Sequence, residues 1–163
     1  MRDDKQYLTW CCRQGKGIRR VEPSENLAKA YLNKSRNALK SMELNANAGL
    51  VDWAVSASYY SKYFVVYALL SKLGVKCEIH DCTITLFERL LAGIIPEEIL
   101  KDLRSSKEDR IESQYYTQEI SVDLEQVRAK TKRFVLEVEK VIDGLNPEKK
   151  EQLQKALKSL MDN

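Results

Sequence analysis

The chain has 163 residues, with 27 Lys plus Arg against 24 Asp plus Glu, 44% apolar content, and only six Gly and three Pro. That is one domain's worth of sequence, too poor in Gly and Pro for a collagen-like or mucin-like chain and too apolar for a disordered one. Its Ala, Glu, Lys, Leu and Arg content points to long helices, so an all-α, up-and-down helical bundle is expected.

Residues 1–22 concentrate positive charge: Arg2, Lys5, Arg13, Lys16, Arg19 and Arg20 stand against Asp3, Asp4 and Glu22, while the rest of the chain is balanced. This basic arm, interrupted by Gly15 and Gly17, can attract phosphates through Arg19 and Arg20, or be a solvated extension that binds nothing. Gly15-Lys16-Gly17 lacks the spacing of a phosphate-binding P-loop. The charged start, Met1 to Gln6, does not read as a signal peptide, and a cytoplasmic protein is expected. The four cysteines, Cys11, Cys12, Cys77 and Cys82, are too sparse for a disulfide framework and are expected to be reduced thiols. Cys77, His80 and Cys82 have the residue types of a zinc site without its spacing, and no metal or cofactor is expected.

Ser24 is a good helix N-cap, and Leu27, Tyr31, Ala38 and Met42 recur at helical spacing to about Ala46. From Leu50 to Leu73 there is no Gly or Pro. Trp53, Ala57, Tyr60, Phe64, Tyr67 and Leu70 set a helical stripe, widened by Val65, Val66, Ala68 and Leu69. This predicts the most buried helix, ended by Gly74 in a left-handed conformation. Its longest apolar run, residues 63–70, is far short of the roughly twenty residues of a membrane span. A third helix is predicted from Asp81 as cap through Leu91, with His80 in the preceding loop. A fourth opens with Pro96 at its first helical position and turns almost wholly polar from Arg104 to Gln114. A fifth starts at Ser121 to Leu124 and keeps a bundle seam through Thr131, Phe134 and Val138. After Asn146-Pro147, residues to the C-terminus form a short amphipathic helix whose apolar stripe needs the bundle or a second subunit as partner. The expected organisation is an arm over residues 1–22, a bundle of four to five helices over 23–145, and the extra helix over 146–163.

Three places could carry chemistry. His80-Asp81 could serve acid-base work, or be a loop histidine beside a capping aspartate. Tyr59, Tyr60, Tyr63, Phe64 and Tyr67 could stack bases or simply pack. On the fourth helix, Arg110, Ser113 and Gln114 share a face with Lys107 one turn back. An arginine flanked by hydroxyl and amide groups can grip a phosphate, and Tyr115-Tyr116 could stack on a base; the bland reading is a solvated charged face.

The segments Asn26 to Leu32, Ala57 to Phe64, Leu69 to Val75 and Ile79 to Cys82, together with Trp10-Cys11-Cys12, resemble the HEPN family from roughly Asp4 to Gly144. The likeness is greatest to an archaeal subgroup encoded beside a minimal nucleotidyltransferase. The resemblance implies a helical bundle that forms a homodimer within a toxin-antitoxin-like pair. It also implies a groove where an Arg-x4-6-His motif performs metal-independent RNA cleavage. Arg110 stands at the arginine's place, but Tyr115 stands where a histidine would, and no histidine follows His80. A tyrosine of ordinary pKa, about 10, is a poor general base near neutrality. The expectation is therefore a binding module with degenerate catalysis. It would hold RNA or nucleotide phosphate through Lys107, Arg110, Ser113, Gln114 and Tyr116, with the nucleotidyltransferase as partner. One alternative is an RNase using Arg110 with Tyr115 or His80; another is a purely structural helical interaction protein. In some family pairs the nucleotidyltransferase modifies a tyrosine near the motif, making Tyr115 or Tyr116 a candidate acceptor.

Overall fold

A computed structural model describes residues 4–116 and 121–162. Asp4–Arg13 form α1, Glu25–Asn47 α2, Val51–Leu73 α3, His80–Leu90 α4, Glu97–Tyr115 α5, Leu124–Asp143 α6 and Pro147–Met161 α7. Arg19–Arg20 (β1) and Val75–Lys76 (β2) pair antiparallel, Arg19 opposite Lys76. The fold is the expected all-α bundle, with two additions at its N-terminal side.

Cap chemistry explains the starts of three helices. Ser24 accepts from the Leu27 N–H at the start of α2, Asp123 from Gln126 at the start of α6, and Asn146 from Lys149 ahead of Pro147 in α7. Pro96 takes the N-cap of α5 instead of its first helical position. The α4 cap is Ile79 with no side-chain bond, so His80 and Asp81 lie inside the first turn, and Asp81 is not a cap. Gly74 ends α3 at φ 78°, and a Cβ there would come within 2.6 Å of the Val21 carbonyl oxygen, so a side chain is barred on both counts.

α3 is the central rod, packed by α2, α5 and α6 and buried along nearly its whole length. Small polar residues let the neighbours come close. Ser35 of α2 donates to the Ser61 carbonyl at 2.7 Å, and Ser58 meets Thr131 of α6 at 2.7 Å. The buried face of α2 is Ala28, Ser35, Met42 and Ala46, whereas Leu27 is 46% exposed and Tyr31 and Ala38 are only half-buried. The stripe is rotated by about one residue from the expected one because close approach favours Ala and Ser over Leu. At the other end of α3, α7 buries Leu153 and Leu157, and Gln154 donates to the Leu73 carbonyl.

The arm is not a solvated extension over its described residues. Leu8, Cys11 and Ile18 are buried, α1 packs on α4 and α7, and Cys11 is joined to Cys82 by a disulfide. This corrects the expectation of four reduced thiols: β1 pairing with β2 folds the arm back and lays α1 on α4, where Cys11 meets Cys82. Cys12 and Cys77 remain free, and Cys82 is no longer available to a zinc combination with Cys77 and His80. Arg2 and Asp3, counted in the arm's charge, lie outside the described residues. Among the described residues no helix is long and apolar enough to cross a membrane.

Candidate functional site

The N-terminal half of α3, the first turn of α4 and the C-terminal half of α5 converge. Along α3, the i and i+4 residues Tyr59 and Tyr63 point inward and are buried, and the single histidine comes to them from α4. His80 Nδ1 lies 2.6 Å from the Tyr59 hydroxyl, and its ring stacks on Tyr63 at 4.2 Å between centroids. Burial holds both phenols above their ordinary pKa, so they stay protonated. The imidazole is shifted the other way: desolvation lowers its pKa first, the Arg110 and Lys107 charges lower it further, and Asp81 partly offsets them. His80 is a neutral base beside two cations at pH 7.

α5 supplies those cations. Its polar stretch stays helical because α3 and α4 partner it side chain by side chain. Lys107 Nζ bonds Asp81 Oδ1 at 2.6 Å, and Arg104 holds Glu88 at 2.6 Å. The Arg110 guanidinium carbon lies 5.5 Å from the Tyr59 ring centroid and 5.3 Å from that of Tyr60. Its Nε donates to Gln114 Oε1 at 3.2 Å, and the Gln114 amide donates to Ser56 Oγ at 2.9 Å. Arg110 is thus oriented by aromatic faces and an amide, with no carboxylate partner among the described residues, which leaves its charge for an anion. Ser113 is buried and its hydroxyl donates to the Arg110 carbonyl, so its polar group is turned into its own helix.

Tyr115 and Tyr116 close α5 with 71% and 64% exposure. Trp53, expected in the core stripe of α3, is 63% exposed and borders with Asp52, Ser113, Gln114 and Tyr115 a cavity of about 330 Å³. Of the expected site residues, Lys107, Arg110, Gln114 and Tyr115 are therefore gathered in one region. The arm's two arginines, Arg19 and Arg20, are engaged elsewhere. Arg19 pairs with Glu78 at 2.8 Å, and the Arg20 backbone lies beside Val75, past the C-terminal end of α3. At 1.5 Å per residue that is roughly 20 Å along the axis from Tyr60.

Two features escape sequence reasoning. One is the joining of His80 to Arg110, since residues 30 apart on different helices leave no local pattern. The other is Lys62, buried at the floor of a cavity of about 430 Å³ between α3, α5 and α6, where it bonds Asp102 at 2.7 Å and Ser106 at 2.5 Å. A lysine inside an apolar helical run is the one visible signal.

A family profile described as HEPN domain matches residues 28–159, running through the expected boundary at 145/146. The chain is also 31% identical over 86 residues to UPF0332 protein glr0978 of Gloeobacter violaceus, covering 52% of this chain and 68% of that protein. With a family match over most of its length, the chain belongs to the HEPN domain family.

Proposed function

We propose that this protein is the HEPN half of a two-component pair with a minimal nucleotidyltransferase, a homodimer that binds RNA or nucleotide phosphate along the Arg110 edge of α5. The observation that carries the reading is the Arg110 guanidinium, set over Tyr59 and Tyr60, steered by Gln114 and without a carboxylate to neutralise it among the described residues. Tyr115, Tyr116 and Trp53 supply exposed aromatic surface beside or near that edge for a base or a second subunit. Lys107 is already paired and acts by fixing α4 against α5. Ser113 acts through the backbone, and Arg19 and Arg20 form a separate basic patch.

A second reading, metal-independent RNA cleavage, is favoured by one observation: His80 and Arg110 both engage Tyr59, the first through its hydroxyl and the second over its ring. With Tyr59 hydrogen-bonded to Nδ1, His80 could assist proton removal from a ribose 2′-hydroxyl while Arg110 steadies phosphate charge. Tyr115 lacks comparable support, since its phenol is exposed and the chain's single histidine is bonded to Tyr59 instead. Incubating the protein with mixed RNA in the presence of a chelator separates the readings. Binding without cleavage, abolished in Arg110→Ala, supports the first. Chelator-resistant cleavage that disappears in both Arg110→Ala and His80→Asn replaces it with the second.

A further inference from the structure

The four tyrosines and the phenylalanine of α3 split into two sets. Tyr59, Tyr63 and Tyr67 are buried, whereas Tyr60 and Phe64, one turn apart, are half-buried and are met from α2 by half-buried Tyr31. Tyr60 and Phe64 lie 5.8 Å apart with planes at 25°, and Phe64 and Tyr31 lie 6.1 Å apart at 27°. The three rings form a nearly parallel row from α5 across α3 to α2. One cation stands beside Tyr60 at one end, and another stands over both Phe64 and Tyr31. The Arg110 guanidinium is 5.3 Å from the Tyr60 centroid, and exposed Lys34 Nζ is 5.4 Å from Phe64 and 5.6 Å from Tyr31. Neither cation has a carboxylate partner among the described residues.

We propose that this row is a track for single-stranded RNA, with bases stacking on the exposed surfaces of Tyr60, Phe64 and Tyr31 and with Arg110 and Lys34 each holding a backbone phosphate. The inference rests on the RNA-binding reading above and names the form of the ligand. Alternating aromatic surface and unneutralised positive charge suits a strand whose bases are unpaired, because every base offers a stacking face whatever its sequence. A duplex keeps its base faces stacked inside and offers this row phosphates, riboses and base edges but no stacking face along its length. The row also has direction, leading away from the Tyr115 end of α5 toward α2.

The test is fluorescence anisotropy with a short labelled single-stranded RNA and with the same strand annealed to its complement. The single strand should bind more tightly. Phe64→Leu and Tyr31→Leu, which keep apolar bulk, should each weaken it by about fivefold or more while leaving duplex binding unchanged. Lys34→Ala, at an exposed position, should flatten the salt dependence of single-strand binding by about 0.7 in log-log slope. If Arg110→Ala abolishes binding while the Phe64, Tyr31 and Lys34 variants bind like the parent, the track is wrong and the proposed function stands. If the parent binds no RNA, both fall. If the variants change only self-association, the row is a protein interface and the track is overturned.

Discussion

Arg110 and His80 differ in how far the sequence alone can place them. Arg110 is legible because a charged arginine on a polar helix face, followed by two tyrosines, is a pattern local to α5. His80 is legible only as a lone histidine, because its meaning comes from Tyr59, Tyr63 and Arg110 on other helices. The imidazole resists protonation in the fold, while in the unfolded chain it titrates near 6.5. The unfolded state therefore takes up the extra proton on acidification. Stability from this residue is complete above pH 6.5 and declines as the pH falls through it. Urea unfolding of the parent and of His80→Gln between pH 8 and 5 should show a smaller acid loss in the variant; equal losses would remove His80 from the cluster's energetics. Lys62 allows a second test. Its ammonium is desolvated and its charge is balanced by Asp102. Replacing both partners, Lys62→Met with Asp102→Leu, should be close to neutral, whereas Asp102→Ala alone, which strands a buried cation, should cost about 3–5 kcal/mol in denaturant unfolding. A large loss in the double variant would show that the pair itself supports the fold.

Among the elements, α2, α3, α6 and α7 are readable from caps and periodicity, since Ser24, Gly74, Asp123 and Asn146-Pro147 each act through bonds to the nearest turn. The exposed face of Trp53 and the rotated stripe of α2 are not, because both depend on how close a neighbouring helix comes. α1 is hidden for a different reason: it is only ten residues long, and its docking depends on β1 pairing with β2 and on the link from Cys11 to Cys82. That link joins α1 to the third residue of α4, two positions from His80. Because it closes a sequence separation of 71, its removal should lower stability by about 4 kcal/mol on the chain-entropy scale. Dithiol reductant on the parent and the Cys11→Ser variant should both lower the urea midpoint, and the variant should no longer respond to reductant. An unchanged midpoint in both would mean the cystine does not hold α1 in place.

For the whole molecule, the HEPN bundle is a rigid frame that carries three unlike polar regions. These are the Arg110 edge, the buried Lys62 cavity and the Arg19–Arg20 hairpin. Net charge alone favours the hairpin as the phosphate-attracting patch, yet Arg19 is drawn to Glu78 while Arg110 keeps its charge free among the described residues. Charge counting along a chain says how many cations there are; folding decides which are already neutralised. The central claim is therefore that Arg110 holds a phosphate. The most direct measurement is the affinity of the parent and of Arg110→Ala for one single-stranded RNA over a series of salt concentrations. Weaker binding is expected in the variant, with a log-log slope shallower by about 0.7 for each phosphate that the protein no longer neutralises. Superimposable salt titrations for the two proteins would contradict it.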